Sequence, residues 1–309
     1  MHHDPGTMLI KAADDKQPQI DALEALLTRP DVDAATRTQI DRELKTIRAG
    51  ARGEREAAYE IDFHYAKHPN RVVIHDLRLE VDGRVAQIDH LIIDRLLTIW
   101  VCESKHFAEG VGVNDHGEWV RYWGGRPTGI PSPIEQNRKH IAVLRDAFDQ
   151  RLVQLPKRLG VAIKPDFRSL ILVSAGARIS RPRSKAAAAA AGLDEVIKVD
   201  QLKTLLDRDS EATRLRDVAR FVGSDAIQRI GRELVALHRP AAFDWAAPFG
   251  LPAEPPQSPP TEQPATRVGR VCESCGAPVS YGVARYSEAH PERFGGRVLC
   301  MPCQKTVAS

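Results

Sequence analysis

The sequence predicts an α/β fold, preceded by a helical hairpin and followed by a small metal-bound module. Three observations predict it. Strand-length apolar runs with polar turns between them fill residues 71–105, and segments with apolar residues at helical spacing lie on either side. Two Cys-x-x-Cys pairs then close the chain behind a proline-rich stretch.

A chain of 309 residues has room for about two domains plus extensions. Its 42% hydrophobic and 28% charged residues are ordinary for a water-soluble globular protein. The net charge is only +3, so any affinity for nucleic acid must come from local basic patches. No apolar run reaches the roughly 18 residues of a membrane span, and the polar N-terminus has no signal-peptide core. A cytoplasmic location without membrane contact is the expectation.

Residues 1–17 are polar and read as disordered. Helical spacing over 19–27 and 32–47 puts Ile40, Leu44 and Ile47 on one stripe, and Pro30 separates the two segments. A helical hairpin within residues 1–49 follows. It either packs on the main domain or mediates self-association. Gly50-Ala-Arg-Gly53-Glu54 then opens a new helix that ends before Pro69. Glu54 falls in its first turn, where the helix dipole favours a carboxylate; alternatively, it is an acid aimed at a metal centre.

Arg71–Val81 reads as a strand, Asp82-Gly83 as a hairpin turn and 84–93 as the returning strand, which carries Asp89. A polar break at Asp94-Arg95 leads into a further strand ending Cys102-Glu103-Ser104-Lys105. Alternate strand residues share a face, so Glu103 and Lys105 project together while Cys102 and Ser104 point the other way. His90 faces away from Asp89 and reads as a packed or surface histidine, and Cys102 as a buried core residue.

Two carboxylates and an amine at one end of a small sheet suit a hard divalent cation, Mg²⁺ or Mn²⁺, beside an activated water. Asp89 and Glu103 supply the ligands, and Lys105 orients or deprotonates the water. The plain alternative is a turn-capping aspartate and an exposed strand-end ion pair.

Short strands follow at 111–113 and 118–123, then a Gly- and Pro-rich loop. Ser132 caps the next helix, with Pro133 at its first position, and Ile141, Leu144 and Phe148 form its apolar side. Gln136 and Lys139 lie near its N-terminus, an anion-friendly end, and Arg138 lies between them. A solvated amphipathic helix explains the same residues. Residues 169–174 read as a strand, and Arg178, Arg181, Arg183 and Lys185 make a flexible cationic loop suited to a nucleic-acid backbone. Alanines 186–191 favour helix, 196–199 a last strand, and 201–207 and 211–238 closing helices.

Residues 240–266 are proline-rich and read as a semi-rigid linker, so 267–309 is an independent module. Cys272 and Cys275 are separated from Cys300 and Cys303 by twenty-four residues. Four thiolates in two knuckles match a closed structural Zn²⁺ site, and the long gap asks for a long hairpin between them. From Arg267 onward there are six Lys/Arg against three Glu, so nucleic acid or an acidic partner is a plausible ligand for the module.

Taken together, Gly53-Glu54, Gln87-Ile88-Asp89-His90, Trp100-Val101-Cys102-Glu103-Ser104-Lys105, Trp119 and Pro133-Ile134-Glu135-Gln136-Asn137 resemble the nuclease-related domain, NERD, over residues 50–206. That family is placed with the PD-(D/E)xK nucleases, although Ile88 stands where the superfamily motif has proline. The resemblance implies a restriction-endonuclease-like, four-stranded mixed sheet flanked by helices, closed by helices at 207–239. It also implies Mg²⁺-dependent phosphodiester cleavage. Asp89 and Glu103 would match the metal-binding acids, Lys105 the catalytic lysine, Glu54 the acid of the leading helix and Gln136 the glutamine of the later one. Zinc-ribbon tails on similar proteins are thought to aid nucleic-acid binding.

The expected function is a DNA nuclease acting in DNA processing or repair. Its rivals are a nuclease-like module that binds nucleic acid or recruits a helicase without cutting, and an assembly protein working through the hairpin and the ribbon.

Overall fold

A computed structural model describes residues 7–212, 220–241, 243–252 and 271–307. The chain divides into two compact units, Met1–Ala253 and Glu254–Ser309. The first unit begins with β1 (Leu9–Lys11), α1 (Gln17–Thr28), α2 (Ala34–Tyr65), β2 (Arg71–Val81), β3 (Arg84–Asp94) and β4 (Thr98–Lys105). It continues through β5 (Gly110–Val113), β6 (Trp119–Trp123), β7 (Arg126–Gly129), α3 (Pro133–Asp149), β8 (Lys157–Arg158) and β9 (Val161–Ala162). β10 (Asp166–Val173), β11 (Arg178–Ser180), α4 (Lys185–Ala190), β12 (Val196–Lys198), α5 (Leu202–Glu211) and α6 (Ser224–Ala236) complete it.

The main sheet is mixed and six-stranded, in the order β1-β2-β3-β4-β10-β12. β2, β3 and β4 pair antiparallel, whereas β1, β10 and β12 each join in parallel. This is two strands more than the NERD resemblance implies. One of them, β1, lies in the stretch read as disordered: Met8 is buried and Val73 N donates to Met8 O at 2.8 Å. Three residues are too few to show an alternating pattern.

Helices cover both faces of the sheet, which is why its strands are apolar almost throughout. Ile141, Leu144 and Phe148 of α3 and Ile227, Ile230 and Leu234 of α6 pack on Val72, Ile74, Leu91, Ile93, Ile99 and Val101. Ala57, Ile61 and Tyr65 of α2 and Leu202 and Leu206 of α5 pack on Val73, Ile92, Trp100 and Cys102. The alternation breaks in the middle of β2 and β3. Ile74 and Leu77, and likewise Ile88 and Leu91, point into the same core. The ladder pairs His75 with His90 and Leu77 with Ile88 but omits Asp76 and Asp89 between them, and Asp76 has φ +49°.

The sequence suggests a helix break near Gly50, but α2 runs for 32 residues through both Gly50 and Gly53. Asp33 caps it by accepting from Thr36 N at 2.7 Å. Gly53 serves packing: a Cβ there would lie 3.0 Å from His106 Cβ, just past the end of β4. Glu54 therefore sits in the middle of a helix, and the helix-start reading of its charge falls away.

α1 and α2 pack as a hairpin through Leu23, Leu26, Ile40 and Leu44. Part of the stretch read as linker covers this pair, with Trp245 and Ala246 against it and Arg29 Nη1 donating to Pro252 O at 2.8 Å. Residues 253–270, most of the remaining linker, lie outside the described residues. So do 213–219, and the long closing helix expected over 211–238 is represented by α6 alone.

A second sheet, in the order β11-β5-β6-β7, stands beside the end of β4. Three residues of the cationic stretch expected to be a loop are its strand β11, paired in parallel with β5.

The second unit is built from α7 (Tyr281–Ala289), α8 (Pro291–Phe294) and α9 (Met301–Val307). Two helices, rather than a long hairpin, fill the gap between the cysteine pairs. Their core is Val279, Ala284, Phe294, Val298 and Leu299, closed by Cys272 and Cys300.

Candidate active site

In the β3–β4 register His90 faces Cys102, so Asp89 and Glu103 come next, just past the last backbone pair. There the ladder gives way to a side chain: Ser104 N donates to Asp89 Oδ2 at 2.8 Å. Both carboxylates are buried. Lys105 Nζ and Gln136 Nε2 both donate to Glu103 Oε1, at 2.7 and 2.8 Å. His140 Nδ1 is 3.6 Å from Glu103 Oε2, too long for a hydrogen bond.

Gln136 reaches Glu103 because α3 is clasped to the sheet one residue further on. The fully buried Asn137 donates through Nδ2 to Val101 O at 2.8 Å and to Ser169 Oγ at 3.0 Å. Ser132 caps the helix as expected, accepting from Glu135 N at 3.2 Å.

Glu54 enters from α2. Its Oε2 is 3.1 Å from Lys16 Nζ, an ion pair whose angle makes no hydrogen bond. Lys16 also donates to Asp76 at 2.8 Å, and Asp76 accepts from Asp14 N as well. Burial works against the Lys16 charge, but the two carboxylates outweigh it and raise its pKa. Asp89 moves the same way for the opposite reason. Burial first, then the Glu103 and Glu54 charges, push its carboxyl well above the usual range. Burial lowers His140, against the pull of Glu103.

Asp89, Glu103, Lys105, Glu54, Gln136 and His140 line one cleft of about 1100 Å³. Of the cations singled out in the sequence, none of Arg138, Lys139, Arg178, Arg181, Arg183 and Lys185 is among the described residues lining it, although Arg178 lies over the ring of Tyr122, a cleft residue, at 5.9 Å. Arg138 pairs with Glu135 and Glu195, and Arg181 donates to Leu193 O at 3.2 Å. The cleft is instead rimmed by Arg48, Arg52 and Arg121, with Tyr122 and Trp123 beside them. His140 lies one helical turn beyond Gln136, so helical spacing alone could have found it. Nothing local marks Lys16.

In the second unit the ligand atoms of Cys272, Cys275, Cys300 and Cys303 all lie within 4.8 Å of one another. Tetrahedral sulfur coordination at about 2.3 Å fits that spacing, so the cluster suits Zn²⁺. Within the cluster the thiols share hydrogen bonds: the pKa of Cys272 is lowered to about 6, chiefly by a backbone hydrogen bond from Cys300, while that of Cys303 is raised, chiefly by its bond to Cys300. Among the described residues these cysteines are the one set of three or more His, Cys, Asp or Glu side chains gathered closely enough for an ion. Asp89, Glu103 and Glu54 share a cleft without converging as tightly.

Residues 49–172 match the family model described as the nuclease-related domain, NERD. The chain carries a NERD domain. The match takes in α2 from residue 49, β2 to β4, the second-sheet strands β5 to β7, α3 and most of β10. Lys16 and α6 lie outside the NERD domain, as does the cysteine cluster. No curated protein and no solved structure matches the chain. Among the described residues no helix is long and apolar enough to cross a membrane.

Proposed function

We propose that the NERD domain is a Mg²⁺-dependent nuclease that hydrolyses DNA phosphodiester bonds in the cytoplasm, in DNA processing or repair. The observation that carries this reading is the pairing of Asp89 and Glu103. Two buried carboxylates face each other at the floor of an open cleft, with an ammonium group 2.7 Å from one of them. Like charges are held together there, and Asp89 resists ionisation.

Oxygen donors of this kind suit Mg²⁺, which is commonly held by one or two carboxylates together with substrate phosphate and water. Asp89 and Glu103 would hold it. Bound there, Mg²⁺ supplies a polarised phosphate oxygen and a more acidic water. Lys105, held as an ammonium against Glu103, would orient the attacking water and stabilise negative charge developing on the phosphate. Gln136 fixes the rotamer of Glu103, and Glu54, balanced by Lys16, adds negative field without ligating. The cysteine module binds Zn²⁺ structurally and contributes a second contact to nucleic acid or to a processing partner.

The test is cleavage of labelled DNA by the full chain with Mg²⁺ or Mn²⁺, beside Lys105→Ala and Asp89→Ala. Each substitution should slow cleavage by about 10²- to 10⁴-fold while melting stays cooperative. Salt-sensitive DNA binding without cleavage in any of the three proteins would assign the non-cutting reading instead.

A further inference from the structure

We propose that Trp123 is a stacking platform for an unpaired base, so that the cleft takes single-stranded DNA; the inference rests on the nuclease reading above. Trp123 ends β6 and is 71% exposed, yet it lines the cleft that holds Asp89, Glu103 and Lys105. Its position is built rather than incidental. Trp123 pairs with Arg126 across a two-residue turn in which Gly124 has φ +58° and Gly125 φ +71°, the signature of the tight hairpin turn that needs glycine. Both turn N–H groups donate to the Glu109 carboxylate, at 2.5 and 2.9 Å. The tip of the second sheet is thereby tied down, and an indole on a fixed hairpin loses little freedom when a ligand stacks on it.

Charge says what that ligand is. Arg52 and Arg121, together with Arg48, which is paired with Glu24, line the cleft that holds the acidic groups, and such cations suit a phosphate backbone running past bound metal. Pairing says which form it takes. Inside a duplex each base is already stacked on both faces, so away from duplex ends only an unpaired base has a face to offer. Stacking of one base on an aromatic side chain is worth roughly 10- to 100-fold in affinity and is tolerant of sequence.

The experiment measures binding of a fluorescent single-stranded oligonucleotide and, by competition, of a relaxed closed-circular duplex, which has neither ends nor an unpaired loop, to the full chain carrying Lys105→Ala. Trp123 is kept, or changed by Trp123→Phe or Trp123→Ala. Metal-dependent cleavage is measured in parallel with Lys105 intact. We expect single strands to bind more tightly than duplex. Trp123→Ala should weaken single-strand binding by roughly 10- to 100-fold, Trp123→Phe should retain most of it, and duplex binding should not change. An equal loss on both DNAs, or unchanged single-strand affinity in Trp123→Ala beside intact metal-dependent cleavage, overturns the inference and leaves the nuclease reading standing. Absence of both binding and cleavage removes the two together.

Discussion

The Nδ1 atoms of His75 and His90 lie 2.7 Å apart in the interior, so one ring must donate to the other. Asp62 Oδ1 is 3.0 Å from His75 Nε2, and Ser104 Oγ is 2.7 Å from His90 Nε2. With Asp62 accepting, His75 carries its proton on Nε2, His90 donates from Nδ1 and the Ser104 hydroxyl donates to His90. Two neutral rings satisfy the whole chain. It ends at the residue whose N–H holds Asp89.

Burial above all, with the Lys16 charge adding to it, holds His90 well below its ordinary pKa. The unfolded chain therefore gains a proton as pH falls through about 6.5 while the folded one does not. The His90 contribution to stability is full above that pH and falls below it, by up to about 1.4 kcal/mol per pH unit. The difference in urea unfolding free energy between the wild type and His90→Gln should shrink between pH 7.5 and 5.5. A difference independent of pH would mean that His90 is not a neutral buried ring.

Two glycines of α2 should respond in opposite ways. A Cβ at Gly50 meets only Glu54 Oε1, at 3.9 Å, so Gly50→Ala should stabilise by about 0.5–1 kcal/mol through helix propensity. Gly53→Ala should lose that gain to the contact with His106, and Gly53→Val should be clearly destabilised. Thermal melts compare the set. Equal stabilisation by both alanines would argue against the close approach of α2 to the end of β4.

Asn137→Leu removes the clasp between α3 and the β4–β10 seam. Loss of the bonds to Val101 O and Ser169 Oγ should cost about 1–3 kcal/mol, read from the urea midpoint. Cleavage should fall as well, because Gln136 and His140 ride on the same helix. Unchanged stability would mean that the apolar packing of α3 suffices to seat it.

Chelation should act on the second unit alone. Its core is small, so a Zn²⁺ ion held by the four cysteines would contribute much of its folding free energy. Metal analysis should find about one zinc per chain, reduced in Cys300→Ser. Removing the zinc should open residues 271–307 to protease and leave the melting of the first unit unchanged. Zinc-free protein with an intact, protease-resistant tail would exclude a structural role for the ion.

Some of this protein is decided by local pattern. Arg71–Lys105 is readable as two linked hairpins because strand periodicity, Asp82-Gly83 and the polar break at Asp94 agree with one another. The hairpin register alone sets Asp89 opposite Glu103, and two cysteine knuckles suffice to point to a metal. The gathering of Lys16 against Glu54 and Asp76, of Asp62 against His75, and of Trp123 over the cleft belongs to the tertiary structure. Each joins a polar or exposed residue to others distant in sequence or outside its own strand pairing, and such residues leave no periodic trace. The unbroken α2 is of the same kind. Gly50 to Glu54 read locally as the start of a new helix, yet α2 runs through them, and at Gly53 a Cβ would crowd His106 at 3.0 Å. Apolar periodicity encodes which face is buried, whereas charge pairing across the chain is settled only once those faces have met.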